Sequence, residues 1–431
     1  MKMPHAILSH RSSTSLLLTL FVGSVAFVLL LLPLRFIGTH DMDAMRLVPL
    51  SLLRDGDIDL REFAPFVAYV VEEVNGRLLP IHPIAPALLA LPIYSSVEFF
   101  GELNTTRDVL ILTKVLAAFT IWAALVFLWF TFRRWIQSLK AVTLSFLVGF
   151  GTLLWPVAAQ DFRDHTVIVF LLAVTLFIMM RRSLTAREVA GAAFLLGLLV
   201  TVRLTTVVIA FPLFVALFFA ARPHMRFMLT AFFPLAALAL YNTVFFGSPF
   251  SHGYETSFAI MRSFDLPWWY PVVNAATLLV NPSKGLFIYS PFFLFSIVGA
   301  WMSWRQRIVT VETIVLRAAS VAVFATLAVY SFVNVTHGGT GFGSRYLIDI
   351  IPLLAVLLIP VVQKFRSVQW SVAWIVFGAW AILVQFAGVL FFDESWHAQY
   401  DPGFVNPTSF RPSWVWDARI PPEPLYYLHK F

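Results

Sequence analysis

The sequence predicts an all-α, polytopic membrane protein of about 11 transmembrane helices, with an outer-face first loop that carries interfacial helices. Three observations carry that reading. Hydrophobic residues fill 59% of the 431 positions and charged residues only 12%, where an ordinary soluble domain holds about 25% charged residues. Mean hydropathy is +0.82. Apolar stretches also recur between short polar interruptions, each near the roughly 20 residues that a hydrocarbon core of about 30 Å demands. No sizeable soluble domain is expected.

The first apolar run, Thr14 to Leu34, follows Lys2 and Arg11 as the apolar region of a signal peptide would. It is too long for one, and no small-residue cleavage site follows it, so it is expected to stay as a first helix with a cytoplasmic N-terminus. Further spans are expected near 109–131, 141–158, 166–180, 189–202, 204–221, 227–246, 286–303, 313–333, 346–362 and 369–391. On this count the inner loops carry Arg133, Arg134, Lys140, Arg181, Arg182, Arg187, Arg222, Arg226, Arg305, Arg307, Lys364 and Arg366, as the positive-inside rule requires. The formal charge of +7 therefore reads as membrane topology, and no nucleic-acid partner is expected. The absence of cysteine excludes disulfides, thiolate zinc sites and thiol catalysis.

The same count divides the chain into a membrane domain, 1–391, and an extracytoplasmic tail, 392–431. It sends outward the first outer loop (35–108), the turn at 159–165, the segment 247–285 and the turn at 334–345. Nearly all carboxylates go with them, and only Glu188 and Glu312 are placed inside. The stretch 82–100 is apolar but broken by proline, and it reads as an interfacial or re-entrant helix. Trp268, Trp269, Trp414 and Trp416 read as aromatic anchors at the membrane surface. No internal repeat of the transporter kind is visible.

Several outward segments carry chemistry-bearing residues. Gly38-Thr39-His40-Asp41-Met42-Asp43-Ala44-Met45-Arg46 sets two carboxylates just past the first helix, where one can serve as a general base or the segment can be a solvated loop with a helix cap. Arg54-Asp55-Gly56-Asp57-Ile58-Asp59 has calcium-like acid spacing but lacks the closing Glu; a turn after the helix containing Ser51-Leu52-Leu53 is expected, and a loose divalent-ion site is the minority alternative. Gln160-Asp161-Phe162-Arg163-Asp164-His165 places a histidine beside carboxylates, although a hydrated hairpin connection is the plainer reading. Arg203 stands between two apolar runs and is expected at membrane depth, where an ionised side chain is functional by default. Asn281-Pro282-Ser283-Lys284 places a cation at a helix mouth, where it can also act as an interfacial anchor. The turn from Thr336 through His337, Gly338, Gly339, Gly341 and Gly343 to Arg345 suits contact with a phosphate, or is simply a tight turn.

These pieces, with Trp155 to His165, Tyr241-Asn242, Gly247-Ser248-Pro249 and Asn281 to Pro291, resemble in their order the bacterial membrane glycosyltransferases of the GT-C type. That group is related to the protein mannosyltransferases and the lipid A aminoarabinose transferases. The resemblance implies transfer of a sugar from a polyprenyl-phosphate-linked donor to an acceptor hydroxyl on a lipid or glycan, at the extracytoplasmic face of the cell membrane. It implies a first-loop carboxylate as base, Asp41 by position or Asp43 two residues on. Arg345, Arg203 and Lys284 would face phosphate, and Arg46, His165 and His337 complete the expected substrate-binding set. No soluble cofactor is implied, while a divalent metal stays open. A polymerase or ligase of lipid-linked glycans, or a transporter or flippase of them, is the alternative.

Overall fold

The computed structural model describes residues 23–33, 43–67, 70–101, 103, 106–251, 253, 268–333, 341–364, 368–400 and 420–430. Its helices, in chain order, are α1 (residues 23–31), α2 (Asp43–Arg54), α3 (Ala64–Val67), α4 (Ala85–Phe100), α5 (Thr106–Arg133), α6 (Ser138–Phe150), α7 (Asp164–Met179), α8 (Ala186–Val202), α9 (Val207–Ala220) and α10 (Phe232–Phe246). They continue as α11 (Tyr270–Val280), α12 (Leu286–Tyr289), α13 (Leu294–Arg305), α14 (Val311–Ser331), α15 (Ile351–Leu357), α16 (Ile359–Lys364), α17 (Val368–Phe391), α18 (Ser395–Tyr400) and α19 (Glu423–Leu428). Five helical stretches among the described residues are long and apolar enough to cross a membrane: Thr106–Arg133, Arg222–Phe246, Val311–Ser331, Arg345–Lys364 and Ser371–Phe391. This is the helical, membrane-type architecture that the composition predicts.

Two departures from the sequence reading bear on the site. The stretch expected as one span over 141–158 ends as α-helix at Phe150, and a π-type turn, Leu154–Ala158, follows. Pro156 lies in that turn, and proline has no N–H to continue an α-helix; π-type turns often mark functional positions. Secondly, the fold is not purely helical. Strands β1 (Val71–Val74) and β2 (Arg77–Pro80) pair antiparallel, and Asn75 and Gly76 both take positive φ between them, 52° and 75°. An Asn-Gly pair favours such a two-residue hairpin turn.

The segment between α1 and α5 has its own small core. Ala44, Met45 and Val48 of α2 pack with Ile58, Leu60 and Leu79 and with Ala87 of α4, and Tyr241 and Phe245 of α10 lie against them. The helix expected over 82–100 is present as α4, and the turn expected after Ser51-Leu52-Leu53 is present with Gly56 at φ 76°. The carboxylates there serve the backbone. Asp57 accepts the Asp59 N–H at 3.0 Å, and Asp59 accepts the Leu78 N–H at 2.9 Å. The second bond ties the turn after α2 to the hairpin.

Helices approach closely at small residues, as bilayer-type packing favours. A Cβ built on Gly299 of α13 would stand 1.7 Å from the Leu357 carbonyl oxygen of α15, whereas one on Gly191 of α8 meets nothing within 4 Å. A backbone carbonyl cannot rotate out of the way. Gly299→Ala is therefore expected to cost about 1–3 kcal/mol, read as a lower thermal midpoint in detergent. Gly191→Ala should leave the midpoint unchanged or raise it, because alanine is the better helix former.

Candidate active site

The chain from Gly151 to Arg163 is buried throughout, which corrects the expectation of a hydrated hairpin. Buried backbone polar groups require partners, and side chains of the turn itself, of α7 and of Ser290 supply them. Ser290 donates to the Gly151 carbonyl at 2.7 Å, Gln160 donates to Leu32 and Trp155 carbonyls at 3.1 and 2.7 Å, and the Thr166 hydroxyl donates to the Ala158 carbonyl at 2.7 Å. Lys114 of α5 donates to the Gln160 amide oxygen. The turn is thus a fixed platform, and two charge clusters are built on it.

In the first, Arg46 of α2 grips Asp161 with two bonds, Nε to Oδ1 at 3.3 Å and Nη2 to Oδ2 at 2.6 Å, and it also pairs with Asp43 one turn earlier. Arg163 Nη2 reaches the same Asp161 oxygen at 3.2 Å. Burial alone would weaken the charge on Arg46, but Asp161 and then Asp43 outweigh it and hold the guanidinium above its ordinary pKa. Tyr94 of α4 lies beside the pair. Its buried hydroxyl has no hydrogen-bond partner among the described residues, and burial pushes its pKa upward.

In the second cluster, His165 Nδ1 stands 2.6 Å from Asp349 Oδ1, and Arg203 Nη1 stands 3.2 Å from His165 Nε2. A neutral imidazole with its proton on Nδ1 satisfies both contacts, donating to Asp349 and accepting from Arg203. Arg203 also lies 3.5 Å from both Asp349 and Asp164, beyond ordinary hydrogen-bond length. Its guanidinium faces the stacked rings of Tyr330 and Tyr346, 5.9 and 5.7 Å from their centres, a cation–π arrangement. The fold aims it there by breaking the helix. α8 ends at Val202, Arg203 is extended, and a 3-10 turn, Leu204–Thr206, restarts the chain into α9.

Exposure sorts the members of both clusters. Asp43 and Arg203 keep 19% and 18% of their side-chain surface exposed, while Asp161 keeps none and Asp349 keeps 2%. The inner groups can only orient, whereas the rim groups can touch a bound molecule.

A third buried cluster lies apart. Lys284 Nζ donates to the Gly341 carbonyl at 2.7 Å and stands 3.2 Å from Glu423, with His397 Nε2 at 3.0 Å. Glu423 also accepts the Gly343 N–H at 3.0 Å and the Tyr289 hydroxyl. Burial would raise the Glu423 carboxyl, but Lys284 and then His397 overcome this and hold it at about 2. Through these bonds α19 is locked onto the glycine turn. Gly343 itself sits at φ 63°, which glycine adopts without strain.

Of the residues expected from sequence, Asp43, Arg46, His165 and Arg203 come together on the one turn. Lys284 belongs to the tail lock instead. Arg345 is half-buried and opens the 3-10 turn Arg345–Ile350, which carries Asp349. Asp41 and His337 lie outside the described residues, as do Trp414 and Trp416. Asn242, expected from the resemblance, donates to the Pro249 carbonyl at 3.1 Å and so shapes the bend after α10. Sequence reasoning missed Asp349, although a carboxylate inside Tyr346-Leu347-Ile348-Asp349-Ile350-Ile351 is the kind of buried charge that signals function in a membrane chain. It named Asp161, Arg163 and Asp164 only as the surroundings of His165, and it missed Glu423. No family model matches the chain, and no curated protein sequence matches it.

Proposed function

We propose that this chain is a glycosyltransferase of the cell membrane, with about 11 spans, a cytoplasmic N-terminus and its working end extracytoplasmic. In this reading it transfers a sugar from a polyprenyl-phosphate-linked donor to an acceptor hydroxyl. The observation that carries the proposal is the convergence of Asp43, Arg46, Asp161, Asp164, His165, Arg203 and Asp349 from four sequence-distant segments onto one buried platform. Burying that many charges costs several kcal/mol per ion before pairing. A purely structural joint would be as stable with apolar residues, so the expense favours a catalytic use.

The rim groups take the two ends of the reaction. A first-loop carboxylate, Asp43 or Asp41, accepts the proton of the acceptor hydroxyl as its oxygen bonds to the anomeric carbon. The bond from that carbon to the phosphate oxygen breaks on the opposite side, and its electron pair leaves with the lipid phosphate. Arg203, helped by Arg345, stabilises the phosphate charge that grows in the transition state. Arg46, Asp161 and Arg163 fix Asp43 on its helix, while His165 and Asp349 hold the Arg203 fork. Attack opposite the departing phosphate inverts the sugar carbon.

Nanodiscs loaded with protein and a labelled polyprenyl-phosphate sugar test the reading. Release of free polyprenyl phosphate together with an inverted glycoside is expected. Labelled lipid carried intact to the other leaflet would instead favour the flippase alternative.

A further inference from the structure

At the far ends of the two helices that lead into the candidate site, the molecule carries a different feature. Arg203 precedes α9, and Tyr330 closes α14. At the opposite ends of α9 and α14 an open groove of about 620 Å³ runs between them, walled by Phe211, Val215, Phe219, Trp304, Ile314 and Val321. Arg203 and Arg222 are separated by nearly the whole of α9, on the order of 30 Å at 1.5 Å per residue. The groove is therefore a separate place from the site described above.

Its wall is apolar, but Arg222 and Arg317 also line it. Arg317 is held in position, with Nε donating to the Ser303 carbonyl at 3.1 Å and Nη2 to the Gln306 carbonyl at 2.8 Å, and its guanidinium lies 5.4 Å from the Trp304 ring centre. Arg222 lies 5.4 Å from the Phe219 ring centre. Neither arginine has a carboxylate partner among the described residues. Arg226, Arg305 and Arg307, all exposed at nearby helix ends, add to the positive potential.

We propose that this groove binds one anionic phospholipid, its acyl chain along Phe211, Val215 and Val321 and its phosphate between Arg222 and Arg317. The volume suits the first part. A methylene fills about as much space as a liquid water, roughly 30 Å³, so one chain of about 20 carbons fits. The charge suits the second, because a guanidinium fork without a carboxylate partner pairs with phosphate through two charge-assisted bonds, and basic pockets between membrane helices hold anionic headgroups. A zwitterionic lipid offers the same chain but cancels its own phosphate charge.

Trp304 reports occupancy directly. In nanodiscs of phosphatidylcholine, a small fraction of lipid brominated along its acyl chains is added as phosphatidylglycerol or as phosphatidylcholine. The Trp304 emission is taken as the difference between wild type and Trp304→Phe. Brominated phosphatidylglycerol is expected to quench it at roughly tenfold lower mole fraction. Arg222→Gln with Arg317→Gln should abolish that preference. Arg222→Gln alone, at a side chain with no hydrogen bond among the described residues, should weaken it without disturbing the fold. Equal quenching by both lipids, or a preference that survives the double substitution, overturns the proposal. So does a dimer in which neither lipid reaches Trp304, since a second copy would then occupy the groove.

Discussion

Replacing Lys284 with methionine is expected to destabilise the protein by about 3–5 kcal/mol, the usual result of removing one partner from a buried ion pair. The Glu423 carboxylate has no exposed surface, so without the ammonium it must either stay charged with only His397, the Tyr289 hydroxyl and the Gly343 N–H beside it, or take up a proton. The pH dependence separates these states. In the wild type, Glu423 is held at about 2, below its ordinary 4.5. Its contribution is therefore fully present above pH 4.5 and is lost as pH falls through about 2. In Lys284→Met burial dominates, the folded carboxyl moves above 4.5, and the sign reverses, so stability falls as pH rises from 5 to 8. Thermal unfolding in detergent across that range should therefore slope more steeply for the variant than for the wild type. Lys284→Met combined with Glu423→Gln should recover much of the loss, because no buried charge remains.

Arg203→Ala is expected to lower sugar transfer by about 10²- to 10³-fold, the range for removing one preorganised group that stabilises developing charge. The loss should fall mainly on kcat, since the phosphate charge grows as the sugar departs. Arg203→Lys should recover only part of it. An ammonium is a point charge and cannot span Asp164 and Asp349 as the planar fork does. Side-by-side kcat and KM for the three proteins check this, and an equal fall in affinity with unchanged kcat would make Arg203 a simple binding group.

The helical membrane architecture was legible because hydropathy is a local property, and long apolar runs have few other solutions. The hairpin carries a local turn signal, Asn75-Gly76, but its strands are four residues each, too short for an alternating pattern to mark them. The site was legible by halves. Asp43, Arg46, His165 and Arg203 stand out as charges at the edges of apolar runs. Their partners do not, because Arg46 meets Asp161 across 115 positions and His165 meets Asp349 across 184. Pairing at that range is decided by helix packing, which one sequence does not display. Lys284 looked like a helix-mouth cation, and nothing near it in sequence announced Glu423, 139 positions away. The buried turn at 151–163 was masked by its polar residues, whose partners come from α2, α5 and the chain just after α1.

The central claim is that a first-loop carboxylate on this platform activates an acceptor hydroxyl for attack on a lipid-linked sugar. Its most direct test is transfer of labelled sugar from a panel of polyprenyl-phosphate donors by wild type, Asp43→Asn and Asp41→Asn, each shown to be folded by its thermal midpoint. Wild type should transfer label, and one of the two variants should fall by about 10²- to 10⁴-fold, the usual worth of a positioned general base. A folded wild type that transfers nothing from any donor, or two variants that both match it, would contradict the account.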